Sequence, residues 1–210
     1  MLFFENNRSI ELDASSGPVC PFYQETAVME SCLHRAAFEG RVGDVEQIVS
    51  TGVDPNMRAG ASRVTPLHVA VGRSGAIQAL VAAGADINAQ DADGNTPLIR
   101  ATRLVGFMAG NMEQLLKAGA CPNIKNARGR TALHEAVRYF AFEPDEGRLR
   151  VLLKYRASLD VQDHDGCTPI DLASQEDNQA LFIFLCVASH GRLLDTRPTR
   201  RVRSPFRVRA

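Results

Sequence analysis

Three histidines look catalytic or metal-binding at first sight: His34, His68 and His134. Each stands three residues after a hydroxyl side chain, in Ser31-Cys32-Leu33-His34, Thr65-Pro66-Leu67-His68 and Thr131-Ala132-Leu133-His134. Imidazoles are common zinc ligands, so a shared metal is the first chemistry to weigh. Carboxylates supply a second candidate, in Asp91-Ala92-Asp93-Gly94 and Asp163-His164-Asp165-Gly166. That spacing matches half of a calcium loop, but the distal Glu that would complete it is missing. The five cysteines, Cys20, Cys32, Cys121, Cys167 and Cys186, are widely spaced with no C-x-x-C. They argue against a disulfide framework or zinc site and for a reducing compartment. There is no G-x-S-x-G, Walker loop, H-E-x-x-H or G-x-G-x-x-G. No catalytic residue, cofactor or metal is expected.

The histidine slots belong to a longer pattern. Thr65-Pro66-Leu67-His68-Val69-Ala70 is echoed by Thr96-Pro97-Leu98-Ile99-Arg100-Ala101, Thr131-Ala132-Leu133-His134-Glu135-Ala136 and Thr168-Pro169-Ile170-Asp171-Leu172-Ala173. Ser31 to Ala36 is a weaker copy. The starts at 31, 65, 96, 131 and 168 are 34, 31, 35 and 37 residues apart. A second motif recurs in phase: Gly52-Val53-Asp54-Pro55-Asn56, Gly84-Ala85-Asp86-Ile87-Asn88 and Gly119-Ala120-Cys121-Pro122-Asn123. Over about 30–191 the sequence resembles the ankyrin-repeat family, whose period is about 33. In such an array, stacked helices lie roughly 8–10 Å apart. Equivalent histidines are then too distant to share one zinc, whose ligands lie about 2 Å away. Each imidazole is expected to bond to the neighbouring hairpin backbone and to the Thr of its own motif. The Asp-Gly pairs read as turns between repeats.

The expected fold is all-α: a solenoid of about five ankyrin repeats, each a helix pair with a projecting β-hairpin loop. Residues 1–29 are expected to be a mobile leader whose end, from Pro21 with Phe22 and Val28, packs as an N-terminal cap; 30–191 form the array; 192–210 form a basic, disordered tail. Thr65 caps a helix that Pro66 opens, where a missing N–H costs nothing. The short second interval predicts a clipped first helix near Gly72–Gly75. Extra residues predict loops at Val105–Asn111 and Phe140–Gly147, the second containing Pro144. Arg156 stands where other repeats place the Gly that ends the second helix. In the last helix, Leu181, Leu185 and Phe184 are expected to face repeat four. Ile183 and Val187 are apolar where a terminal repeat should be polar. Leu193, Leu194 and Phe206, a partner or a second copy of the chain are expected to cover them, with the tail arginines near Glu176 and Asp177; otherwise the chain is read as a monomer.

The formal net charge is zero, with Lys+Arg 24 and Asp+Glu 24. It divides unevenly: 191–210 holds seven Arg and one Asp, hence +6, and 1–190 holds −6. No apolar run suits a signal peptide or a membrane span, and the chain is read as cytoplasmic or nuclear. Arg200-Arg201-Val202-Arg203 reads as either a solvated end or an import or docking signal, and Ser204 as a phosphorylation candidate. Phe206 alone interrupts the arginines, so nucleic acid is an unfavoured partner.

The resemblance implies protein recognition on the concave surface of hairpin tips and first helices, and no enzyme activity. Mapped here, the tips include Arg58, Arg63, Gln90, Asp91, Asn95, Lys125, Arg128, Arg130, Asp163 and His164, and the first helices Val69, Arg73, Arg100, Arg103, Glu135, Arg138 and Tyr139. Arg103, Arg138 and Tyr139 are expected to form the energetic centre. The first reading is an adaptor or scaffold, though no ubiquitin-ligase box follows repeat five. The alternative is a protein-kinase inhibitor resembling the ankyrin-type inhibitors of cyclin-dependent kinases, on the clipped repeat two and Gly40-Arg41-Val42. An accessory fragment of a larger enzyme ranks below both. Leu80 followed by Asp86-Ile87-Asn88 resembles an asparaginyl-hydroxylase substrate, making Asn88 a modification candidate. Asn56 and Asn123, preceded by proline, are poorer ones.

Overall fold

Threonine followed by proline starts three of the inner helices of this chain, at Pro66, Pro97 and Pro169. Thr65 and Thr96 are extended at φ −91° and −82°, and Pro66 and Pro97 are the first helical residues after them. The computed structural model describes residues 26–104, 109–140, 145–175 and 179–193. Five helix pairs follow in order. They are α1 (Thr26–Glu39) with α2 (Val42–Ser50), and α3 (Pro66–Val69) with α4 (Ser74–Ala82). Next come α5 (Pro97–Ala101) with α6 (Ala109–Lys117), and α7 (Ala132–Phe140) with α8 (Glu146–Lys154). The last pair is α9 (Pro169–Gln175) with α10 (Gln179–Leu193).

The odd-numbered helices pack successively as an inner layer, and α2, α4, α6 and α8 as an outer one. Leu33, Leu67, Leu98 and Leu133 occupy one slot of the inner helices, and Leu80, Leu115 and Leu152 one slot of the outer; all are at most 1% exposed. Fully burying each such side chain is worth about 1.5–3 kcal/mol. The result is the expected all-α ankyrin solenoid. Helix α1 runs without a break from Thr26. Val28, an expected cap residue, thus lies within the first helix of the array, and residues 21–25, with Phe22, lie outside the described residues.

The hairpins are less strand-like than expected. Among the described residues the only bridge is antiparallel, Ala59 with Val64. The later tips are closed by a side chain. Asp91 Oδ1 accepts the N–H groups of Asp93 and Asn95 at 2.9 and 2.8 Å. Asn126 Oδ1 does the same for Arg128 and Arg130 at 2.9 and 3.0 Å, and Asp163 Oδ1 for Asp165 and Cys167 at 3.0 Å each. This is Asx-turn chemistry, and it confirms the turn reading of the Asp-Gly pairs. Successive tips then bond through backbone: Ala92 N–H to the Ser62 carbonyl, Ala127 to Asp93 and His164 to Arg128, at 2.9–3.1 Å. Gly94 is required twice over, by its φ of +73° and because a Cβ there would stand 2.8 Å from Ala127 N.

The irregularities fall close to where the intervals placed them. Helix α3 has four residues before a 3₁₀ turn at Ala70–Gly72. Helix α5 is almost as short, which the spacing did not single out; Thr102 Oγ1 turns back onto the Ile99 carbonyl at its end, at 2.7 Å. In repeat three, 109–111 are helical rather than loop, and 105–108 lie outside the described residues. In repeat four, Phe140 is buried at the end of α7, and Asp145, extended at φ −127°, caps α8. The helices are therefore separate, as expected; 141–144 lie outside the described residues.

In α10, Leu181 and Leu185 are buried and Phe184 lies beneath Arg150 of α8, 5.0 Å from its guanidinium. Ile183 and Val187 are 52% and 67% exposed, as the pattern required. Their expected cover, Leu194 and Phe206 with the Leu193 side chain, lies outside the described residues, as do Glu176, Asp177 and Ser204.

Arg156 takes φ +63°, the conformation that glycine supplies at the ends of α2, α4 and α6. A non-glycine residue there is disfavoured by about 1–2 kcal/mol, partly offset by its lower unfolded-state entropy. Arg156→Gly should therefore stabilise the chain by about 0.5–1 kcal/mol. Thermal and urea denaturation check this; an unchanged or lowered midpoint would refute it.

Candidate functional site

The histidines are structural. His68 Nε2 lies 2.9 Å from the Asn95 carbonyl in the next hairpin, which can only accept, so Nε2 carries the proton. Nδ1 is then bare and accepts from Thr65 N–H at 3.1 Å and Thr65 Oγ1–H at 2.8 Å. His134 repeats this with Thr131 at 3.2 and 2.9 Å and the Cys167 carbonyl at 3.1 Å. His34 Nε2 reaches the Val64 carbonyl at 2.9 Å. In repeat five Asp171 takes the slot, its Oδ2 accepting from Thr168 N–H and Oγ1–H at 2.9 and 2.6 Å. Among the described residues no group of three or more His, Cys, Asp or Glu could hold a metal ion.

Many of the candidate binding residues are staples between repeats. Arg58 donates to the Gln90 carbonyl at 2.7 Å, and Gln90 Nε2 to the Lys125 carbonyl at 3.0 Å. Lys125 Nζ continues the ladder to the Gln162 carbonyl at 2.8 Å. Arg100 pairs with Asp91 at 2.9 Å, and Arg130 with Asp163 at 3.1 Å. Asp91, Asn95 and Glu135, mapped to the open surface from sequence, are 7%, 2% and 1% exposed. The Asp91 carboxylate is turned inward to close its own tip. Asn95 Oδ1 accepts from Arg103 at 3.2 Å and Asn126 at 3.1 Å. Glu135 lies under Arg103, with Oε2 3.1 Å from the guanidinium Nη2 and Oε1 buried with no hydrogen-bond partner among the described residues. Asn88 is a staple too: its Oδ1 accepts from Cys121 N–H at 2.8 Å, as Asn56 does from Asp86 at 2.6 Å and Asn123 from Ser158 at 2.8 Å.

What the staples leave open is a trough along the inner helices. A groove of about 510 Å³ is lined by Phe38, Val69, Arg73, Arg100 and Leu104, among others. A deeper cleft of about 250 Å³ is lined by Arg128, Glu135, Arg138 and Tyr139 with Asn126 and Ala127. Both share Asp93, Asn95 and Arg103, so they join. Arg103, Arg138 and Tyr139, the expected centre, meet here. Arg128 and Arg138 make no ion pair among the described residues. Phe38, 64% exposed, and Leu104 were missed by the sequence reading. A signal existed: seven residues after the repeat mark stand Phe38, Gly72, Arg103 and Arg138, and eight after it Glu39, Arg73, Leu104 and Tyr139. All of these but Glu39 line the trough.

Residues 33–110 match the family model for ankyrin repeats in three copies. The periodic geometry continues beyond them through α10. Residues 33–110 thus carry ankyrin repeats, and the fold is an ankyrin solenoid. The chain is 39% identical over 71 residues to an ankyrin repeat-containing protein of Schizosaccharomyces pombe, covering 33% of this chain and 34% of that one. It is 34% identical over 109 residues to neurogenic locus notch homolog protein 1 of Xenopus laevis, covering 47% of this chain and 4% of that one. The matched stretch is thus about a third of the first relative and a small part of the second. Ankyrin repeats are generally protein–protein interaction modules and a non-catalytic fold. No helix among the described residues is long and apolar enough to cross a membrane.

Burial holds His68 and His134 below the usual imidazole value of 6.5, against the raising effect of their carbonyl bonds. Burial alone would raise Asp91 and Asp163. The Asn95 N–H and Arg100 outweigh it at Asp91, and Arg130 with the Cys167 N–H at Asp163, so both lie below 3.8. The unfolded chain therefore binds more protons first below pH 6.5, through the histidines, and only below 3.8 through these two carboxylates. Unfolding free energy should fall from pH 7.5 to pH 5, by at most about 1.4 kcal/mol per pH unit for each histidine, and the melting temperature with it. His68→Ile, which copies Ile99 in the same slot, should lower the melting temperature at pH 7.5 yet flatten its pH dependence. An unchanged slope would remove His68 from this account.

Proposed function

We propose that this ankyrin array is an adaptor or scaffold that binds a protein partner along the trough from Phe38 to Tyr139. The supporting observation is the sorting of its polar residues. The side chains of Arg58, Gln90, Arg100, Lys125 and Arg130 are consumed by contacts between repeats, while those of Phe38 and Arg128, exposed, and Arg138, half-buried, make no such contact among the described residues. Aromatic and arginine side chains over a preformed groove are the composition of an interface centre. The clipped α3 had favoured a kinase inhibitor, but α5 is clipped as well, so that feature is not confined to repeat two. Asn88, already bonded to Cys121 N–H, would have to leave that bond to serve as a hydroxylation substrate.

The test compares partners retained by the wild-type chain and by an Arg138→Glu, Tyr139→Ala variant, with affinity for the recovered partner measured by calorimetry. The variant should bind at least about tenfold more weakly, ~1.4 kcal/mol, with its melting temperature little changed. A Glu113→Ala variant, altered on the outer layer, should bind as the wild type does. Equal affinity for all three would place the binding face elsewhere.

A further inference from the structure

We infer that the trough selects an acidic protein segment carrying a bulky apolar side chain. This rests on the trough being the binding face, and it adds the chemistry of the partner. Five arginines line the two joined cavities, at 73, 100, 103, 128 and 138, against Asp93 and Glu135. Arg100 and Arg103 are neutralised by Asp91 and Glu135. Arg73 donates Nε–H to the Phe38 carbonyl, which fixes the guanidinium without cancelling its charge. Arg128 and Arg138 have no ion pair among the described residues. Among the described lining residues only the exposed Asp93 opposes these three charges. The body of the chain has the opposite sign, since residues 1–190 carry −6. A positive stripe on an acidic body attracts an acidic segment to one face and disfavours its approach elsewhere.

The apolar requirement comes from the other end of the trough. Phe38 is 64% exposed, and Val69 and Leu104 beside the same groove are half-buried. An acidic side chain gains nothing against this lining, whereas a leucine or aromatic side chain removes it from water. The same lining separates the reading from nucleic-acid binding, which would use the arginines but leave Phe38 to a stacking contact without neighbouring aromatic rings. The occupant is therefore a polypeptide with carboxylates reaching Arg128 and Arg138 and an apolar anchor reaching Phe38.

The experiment is selection of a random dodecapeptide display library on the full chain, followed by fluorescence anisotropy of the most enriched peptide. Enriched peptides should be rich in Asp and Glu, contain Leu, Ile or Phe, and lack Lys and Arg. Arg128→Glu with Arg138→Glu should weaken the best peptide at least tenfold, and Phe38→Ser should weaken it several-fold. Raising NaCl from 50 to 300 mM should weaken it too. No enrichment, enrichment of neutral or basic peptides, or indifference to the charge reversal would overturn the inference. So would tighter binding of an oligothymidylate of equal length. A photo-crosslinking amino acid at position 38 that captures residues 1–25 of its own chain would also overturn it, because the trough would then be filled in cis. If the selected peptides are not acidic but the Arg138→Glu, Tyr139→Ala variant still loses its partner, the binding face stands and only its proposed chemistry fails.

Discussion

A hairpin carbonyl pointing at the neighbouring repeat is the constraint on which this fold turns. The Val64, Asn95 and Cys167 carbonyls each accept one bond within their own hairpin, from Ala59, Asp91 and Asp163 N–H, and a second from His34, His68 and His134 of the inner helix before it. A buried imidazole N–H left unmatched costs about 1–3 kcal/mol, so each of these inner helices is complete only when the hairpin after it is in place. The leucine flanks obey the same rule, because each inner helix buries its apolar face against the next. Stability in such an array comes mainly from the contacts between neighbours. It also explains why so many arginines and amides of the tips are staples. Arg58, Gln90 and Lys125 each bond a carbonyl one repeat onward, and together they lock the tips in register.

The trough follows from the same packing. Small residues five and six positions after each of the first four repeat marks, such as Ala36 with Ala37 and Ala136 with Val137, are almost fully buried and let the inner helices approach closely. The next two slots must then project outward. In them the chain carries Phe38, Arg73, Arg103, Leu104, Arg138 and Tyr139. These positions have little bearing on whether the array folds. Their chemistry is free to differ between arrays of one architecture, and function has to be read from the site rather than from the fold.

The architecture was legible because its signals repeat. Thr-Pro starts, terminal glycines and a period near 33 each recur, and the structure keeps all of them. The exposed Ile183 and Val187 were legible for the same reason, since a break in a regular pattern stands out. Single-residue burial was not. Asp91 and Glu135 look like surface carboxylates in sequence, and only the position of Arg100 and Arg103 across the fold shows that each is covered. The tips were read as β-hairpins because the motif's Asp-Gly suits a hairpin turn. An Asx side chain closes the same loop with fewer backbone bonds, and the sequence supports either closure. The shortness of α5 could not be read from an interval of 35, because a clipped helix and a lengthened connection cancel in the count.

The Arg103–Glu135 pair ties folding to function where the two cavities meet. A buried ion pair is weak support for stability, since desolvation offsets its attraction. Here one carboxylate oxygen is also buried with no partner among the described residues. An apolar pair of the same volume would be expected to pack there at least as well. What the ionic pair supplies instead is orientation. Arg103 is held by Glu135 on one side and by Asn95 on the other, at 3.1 and 3.2 Å. Its guanidinium is thereby fixed at the floor of the trough before any partner arrives. A side chain as long as arginine otherwise gives up about 1.5–2 kcal/mol of rotamer freedom on binding. Ordering it during folding moves that cost into the free protein, where contacts on both sides of the junction offset it, and leaves a rigid surface for recognition.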